Sequence, residues 1–156
     1  MTLIVVTGGG GFIGSHVAEH YAKQKENEVI IIDNLSRAKL LHKDDKNAMY
    51  NWNYLHQYKN IEFFQNDIRD FNFLKNLFNK IEIDAIIHTA GQTAVTTSVT
   101  DPKEDFENNL IGTYNILEAV RISKSNPAIV FCSTNKVFGN NVNECDIEEK
   151  ETRYLI

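Results

Sequence analysis

A chain of 156 residues with 16 Lys and Arg against 21 Asp and Glu carries a formal net charge of −5. It is one domain's worth of polypeptide, long enough to bury roughly 68–70% of the surface its unfolded chain exposes. The acidic balance, with no two Lys or Arg residues adjacent, argues against a nucleic-acid or anionic-membrane partner and points to a small molecule. The opening MTLIVVTGGGG has no basic segment and only four consecutive strong apolar residues, so it reads as neither a signal peptide nor a membrane span, and a cytoplasmic protein is expected. Cys132, in an expected buried strand, and Cys145, in a polar tail, suit neither a metal spacing nor a disulfide framework and read as reduced thiols.

The first apolar run, Leu3–Val6, is followed at once by TGGGGFIGSH, with Gly8, Gly11 and Gly14 in the spacing G-x-x-G-x-x-G. Glycines there let the backbone turn sharply, approach a pyrophosphate within hydrogen-bond distance and pack the next helix on the strand. That helix carries Ile13, Val17 and Tyr21 as its apolar stripe. HVAEH (His16–His20) matches an H-x-x-E-H zinc pattern, but both histidines fall opposite the stripe and no third ligand is evident, so the reading is a solvated face. YAKQK (Tyr21–Lys25) matches Y-x-x-x-K, yet Tyr21 belongs to the stripe, about a helix length from the phosphates, and reads as packing. The second run, Val29–Ile32, ends in Asp33, 19 residues after Gly14. An acidic residue there accepts hydrogen bonds from an adenosine ribose and repels a 2′-phosphate, which favours NAD over NADP. Arg37 is the one nearby group able to receive that phosphate.

From Leu35 to Asn60 the pattern is least regular. Met49, Trp52 and Leu55 recur at threes and predict a short amphipathic helix whose aromatics serve the core or a subunit contact, which leaves room for a homo-oligomer. Ile61–Phe64 is the third run, Phe71, Leu74, Leu77 and Phe78 mark a helix, and Ala85–His88 is the fourth run. A helix from Pro102 to Lys124 has Asp101 as N-cap, Pro102 at N1 and Glu104 at N3. It carries a stripe of Phe106, Leu110, Thr113, Leu117 and Val120, and ends in Arg121 and Lys124, favourable at its negative pole. Gly112 inside it costs about 1 kcal/mol against alanine; a close neighbour would explain it, or it is merely tolerated. Ala128–Cys132 is the fifth run. Runs apolar on both faces, alternating with helical patterns, imply βαβ crossovers and an α/β fold with a doubly wound parallel sheet, a Rossmann-type domain over residues 1–156.

DNLSR (Asp33–Arg37), NDIRD (Asn66–Asp70), HTAGQ (His88–Gln92), NNLIGTYNILEAVR (Asn108–Arg121) and STNKVFG (Ser133–Gly139), with the glycine spacing, resemble one family. It is the extended short-chain dehydrogenases/reductases of the nucleotide-sugar epimerase and dehydratase group, and the likeness runs from about Val5 to Tyr154. Within the group, AGQTAVTTS, DFENN and STNKVFG…ETRY are most similar to 2-epimerases of CDP-linked sugars. The resemblance implies NAD as cofactor and a nucleotide sugar, first of all a CDP-sugar, as substrate. It implies that Gly8, Gly11, Phe12 and Ile13 contact the pyrophosphate, with Asp33, Asn34, Ser36 and Arg37 on the adenosine ribose side. Asp67 and Ile68 flank the adenine, and Ala90, Gly91 and Gln92 line the nicotinamide half. Thr134 falls where the family's catalytic Ser or Thr sits, beside Asn135 on the substrate; the plain alternative is a strand-end hydroxyl that bonds backbone.

The resemblance also implies the chemistry: hydride passes from carbon 2 of the sugar to NAD and returns to the other face of the resulting ketone. Dehydratases of the group resemble S-T-D-E where this chain has Ser133, Thr134, Asn135 and Lys136. An amide and an ammonium cannot replace the carboxylate acid and base of an elimination, so epimerisation is favoured. The family's base is the tyrosine of a Y-x-x-x-K pair beyond the threonine. After Thr134 this sequence has one tyrosine, Tyr154, followed only by Leu155 and Ile156. The expectation is therefore an NAD-binding portion, incomplete at its C-terminus and without the substrate domain, with the fifth strand's outer edge exposed and no turnover by itself. Two other readings stay open: another reductase or dehydratase of the group, and a non-catalytic NAD-binding half-protein.

Overall fold

Short β-branched runs that are apolar on both faces need cover on both sides, and a parallel sheet between helices supplies it. The computed structural model, which describes residues 1–37, 49–134 and 144–155, has this arrangement. Strands β1 (Thr2–Thr7), β2 (Asn27–Asp33), β3 (Ile61–Gln65), β4 (Ala85–His88) and β5 (Ala128–Phe131) form one parallel sheet in the order β3-β2-β1-β4-β5. Helices α1 (Phe12–Ala22) and α2 (Tyr50–Leu55) cover one face: Ala18, Ala22, Trp52 and Leu55 meet Ile4, Val6, Val29, Ile31 and Ile87. On the other face α3 (Phe71–Phe78) and α6 (Gly112–Ile122) bring Leu74, Phe78, Ile116 and Ala119 against Val5, Ile30, Ile32 and Ile86. Between β4 and α6 lie two short helices, α4 (Val95–Thr100) and α5 (Pro102–Phe106), and a π turn at Glu107–Ile111. An antiparallel ribbon of β6 (Glu148–Glu149) and β7 (Tyr154–Leu155) stands apart from the main sheet. Among the described residues no helix is long and apolar enough to cross a membrane.

Several elements differ from the sequence expectation. On α1 the buried residues are Gly14, Ser15, Ala18 and Ala22, small enough to bring the helix close to the sheet, while Ile13 is exposed and Val17 and Tyr21 pack at the margin. The helix expected from Pro102 to Lys124 is interrupted by the π turn and ends at Ile122. Asp101 does cap its start, accepting the Glu104 backbone N–H at 3.1 Å. The buried positions are Asn108 in the π turn and Gly112, Asn115, Ile116 and Ala119 past it, while Phe106, Leu110 and Leu117 of the expected stripe are exposed. A side chain at Gly112 would strike Ile68, its Cβ lying 2.4 Å from Ile68 Cδ1, which accounts for that glycine by close packing. Cys132 is exposed rather than buried, because it follows an edge strand, β5, whose own residues are all exposed.

Candidate functional site: a cleft at the sheet's switch point

In the order β3-β2-β1-β4-β5 the chain reverses direction of winding between β1 and β4, and ligands of open α/β sheets bind outside the strands' carboxyl ends at that point. A cleft of about 360 Å³ lies there, built by the loops that leave four strands. From β1 come Gly8, Gly10, Gly11, Phe12, Ile13 and Gly14; from β2, Asp33, Asn34, Leu35, Ser36 and Arg37; from β3, Asn66 and Ile68. From β4 come Thr89, Ala90, Gly91, Gln92, Thr93 and Ala94, and the π turn adds Asn108.

The glycine loop fits a bound group whose phosphates approach backbone. Gly8 has φ +72°, and a Cβ there would lie 2.7 Å from Ala90 N. A Cβ on Gly14 would lie 2.2 Å from Gly8 O, so the close packing of α1 on the loop requires glycine. From outside, Asn51 of α2 donates from Nδ2 to Gly10 O at 3.3 Å and Gly11 O at 3.4 Å. That helix is in turn tied to α1, since Glu19 accepts the Tyr54 and Tyr58 hydroxyls at 2.7 and 3.0 Å. The Tyr54 hydrogen bond, then Lys23 and Tyr58, hold the Glu19 carboxyl down at about 2.

At the end of β2, Asp33 Oδ2 accepts Gly10 N at 2.8 Å and Oδ1 accepts Leu35 N at 2.7 Å. Burial pushes its pKa up, against the pull of those two backbone N–H groups. Leu35 sits at φ 55°, a conformation few side chains adopt. The Asp33 bond holds it, and so does the neighbouring Asn34 Oδ1, which accepts Ser36 N at 3.0 Å.

The wall beside β3 is fixed from α6: Asn115 Nδ2 donates to Ile68 O and Arg69 O, both at 3.1 Å, and Gly112 lets Ile68 in. Asp67 is not among the lining residues. Its carboxylate is engaged by Arg69 (Nη2 to Oδ2, 2.8 Å) and Asn34 (Nδ2 to Oδ2, 2.8 Å), which outweigh burial and lower its pKa. Arg69 also meets Glu104 at 2.9 Å and so ties this wall to α5.

At the far wall Gln92 is buried, and its Nε2 lies 2.9 Å from Asp105 Oδ1 and 3.0 Å from Ser98 Oγ. Its backbone is clasped by Asn109, with N–H to Oδ1 at 2.8 Å and Nδ2 to the carbonyl at 3.0 Å.

Every cofactor-side residue expected from the sequence, Asp67 excepted, thus borders one cleft. Thr134 is exposed, beyond β5, and does not border it. Asn135 and Lys136 lie outside the described residues. His16 and His20 are exposed, with His16 Nδ1 2.7 Å from Phe12 O. Tyr154 is exposed in β7, paired with Glu149. Sequence reasoning missed Asn108 and Asn109 as individual residues. Two adjacent asparagines inside a helical pattern, where they are weak helix formers, were the available signal.

Glycine loop, strand-end carboxylate and switch-point cleft together define a Rossmann-type dinucleotide-binding domain. The chain belongs to the GDP-mannose 4,6 dehydratase family, whose model matches residues 5–154. It is 42% identical to CDP-paratose 2-epimerase of Salmonella typhi over 151 residues, 97% of this chain and 42% of that protein. The UDP-Glc/GlcNAc 4-epimerase of Campylobacter jejuni superposes with a TM-score of 0.75 at 29% identity, over 90% of this chain and 39% of that one. The UDP-glucuronic acid 4-epimerase of Bacillus cereus, solved with UDP-glucuronic acid and NAD, gives 0.74 at 28%, over 88% and 42%. The chain therefore spans about two fifths of the length of these relatives.

Proposed function

We propose that this chain is the NAD-binding portion of a nucleotide-sugar epimerase, of the 2-epimerase type that acts on a CDP-linked sugar. One observation carries the reading: the glycine loop at the start of α1 and the Asp33 carboxylate face a single cleft. The 42% identity to CDP-paratose 2-epimerase supports the type of sugar nucleotide. In this reading Gly8, Gly11, Phe12 and Ile13 hold the pyrophosphate, Asp33 takes the adenosine ribose with Asn34, Ser36 and Arg37, and Ile68 flanks the adenine. Asp67 acts behind that wall, through Asn34 and Arg69. Ala90, Gly91 and Gln92 border the nicotinamide half.

NAD bound in this cleft would supply reversible hydride chemistry at carbon 2 of the sugar. The chain's own contribution is to bind, orient and screen. Thr134 hydrogen-bonds the reacting sugar oxygen, with Asn135 beside it. The amide of Asn135 and the ammonium of Lys136 favour epimerisation over the elimination that the family's dehydratases carry out. No Y-x-x-x-K follows Thr134 in the sequence, so these 156 residues alone bind NAD without turning over.

Calorimetric titration with NAD and NADP near neutral pH tests the reading. One site is expected, with NAD tighter by about tenfold or more, equivalent to about 1.4 kcal/mol. No heat and no melting shift with either dinucleotide sinks it. Steady-state 2-epimerisation of a CDP-sugar by the purified chain would refute the lack of turnover.

A further inference from the structure

His88, at the end of β4 beneath the far wall of the cleft, is 2% exposed. Its Nδ1 lies 2.6 Å from Thr7 Oγ1 and its Nε2 lies 3.0 Å from Thr113 Oγ1. Proton counting fixes the direction of both bonds. Thr113 Oγ1 donates its only hydrogen to Asn109 O at 2.7 Å, so toward His88 it can only accept. Nε2 therefore carries a ring hydrogen; burial keeps the imidazole neutral near neutral pH, so Nδ1 is bare and the Thr7 hydroxyl donates to it. With its hydrogen used in this way, Thr7 Oγ1 accepts from Ala90 N at 3.3 Å. At the other end, Asn109 clasps the backbone of Gln92 through both of its side-chain atoms. One imidazole thus joins β1, β4 and α6, and the chain of bonds ends on each side at backbone that borders the cleft.

We propose that His88 is a positioning residue for the dinucleotide. The neutral imidazole, with its hydrogen on Nε2, sets the spacing between the glycine loop and the Ala90–Gln92 wall, where the nicotinamide half would lie. The adenosine half is held separately, by Asp33 and by the wall that Asn115 and Gly112 fix. Loss of the His88 bridge should therefore weaken binding of the whole dinucleotide and spare binding of its adenosine part. The inference rests on the dinucleotide reading above.

The test compares NAD with AMP by calorimetry in three forms of the chain. Thr113→Val keeps the branched shape and removes the acceptor; it is expected to weaken NAD about tenfold and AMP by less than about twofold. Thr113→Ser keeps the hydroxyl and should restore NAD binding. Nitrogen NMR of the imidazole-labelled wild-type chain should show hydrogen on Nε2 and a bare Nδ1 near neutral pH, whatever the variants do. Equal loss of NAD and AMP in Thr113→Val, failure of Thr113→Ser to rescue, or hydrogen on Nδ1 overturns the role given to His88. Wild-type chain that binds no NAD instead overturns the dinucleotide reading, and with it the role built on that reading.

Discussion

One row of residues crosses the main sheet in register, Ile31–Val6–Ile87–Val130, and its exposure runs 0%, 0%, 7% and 51%. The row contrasts two regions of the molecule. Around β1 and β2 the strands have neighbours on both edges, α1 and α2 lie above them, and the site there is made of backbone and a single carboxylate. Around β4 and β5 the sheet ends, among the described residues, at an exposed strand, and the site depends on a relay of hydrogen-bonded side chains from Thr7 through His88 to Thr113, which bonds the Asn109 carbonyl. A site built of backbone is set by where side chains are missing. A relay is set by which proton each group holds, so it can be disturbed chemically while the fold stands.

The largest effect belongs to the first region. Gly14→Val would force a side chain against Gly8 O, which a Cβ already approaches to 2.2 Å. The loop or α1 must move, so dinucleotide binding should vanish and stability should fall by about 3 kcal/mol, the upper end for an overpacked core. Calorimetry and denaturant unfolding read the two losses, and a variant that still binds NAD would break the contrast. Ile31→Ala, at a fully buried position in the same region, should cost about 3 kcal/mol by leaving a cavity between the sheet, α1 and α2.

The second region should be recognisable by pH. Burial lowers the His88 pKa from 6.5 to about 4, so between those values the unfolded chain binds a proton that the folded chain refuses. Its contribution is complete above about pH 6.5 and is lost as the pH falls toward 4, the loss having reached about 2 kcal/mol by pH 5. Glu19, which starts from 4.5 and is held at about 2, adds its own loss only from the foot of that window downward. Unfolding curves measured from neutral pH downward should show the decline in the wild type and a flatter profile in His88→Gln. An equal decline in both would remove His88 as its source.

Much of the first region was legible in the sequence. Glycine spacing, a strand-terminal acid and a helix between them are local signals, and each states a requirement of the backbone near its own position. The relay was not legible, because Thr7, His88 and Thr113 are far apart in sequence and only the parallel β1–β4 register and the packing of α6 on the sheet bring them together. Asp67 was legible as part of a motif but not as a half-buried partner of Arg69 and Asn34. The buried face of α6 was misread because the large apolar residues Leu110 and Leu117 are exposed, while the face against the sheet is made of Gly112, Asn115, Ile116 and Ala119, small or polar for the most part. Cys132 was misread as buried because β5 has the same composition as the covered strands. An apolar run states that a strand suits a two-sided environment, and what lies over it in space depends on other segments.

Val130→Ala sharpens the contrast most, although its expected effect is the smallest. Val130 shares a row, a strand direction and a β-branched character with Ile31, so intrinsic strand preference predicts similar costs at both positions. Burial predicts otherwise. At Val130 half of the side chain already meets water, truncation opens no enclosed cavity, and the cost should stay below about 0.5 kcal/mol. Unfolding of Ile31→Ala and Val130→Ala under the same conditions separates the two accounts. Equal losses would mean that β5 is covered in solution, by a second copy or by other polypeptide, and sedimentation of the wild-type chain at rising concentration would tell which. A large difference would assign the stability of this domain to β1, β2 and their helices, with β4 and β5 serving chiefly to carry the relay and Thr134 to the end of the sheet.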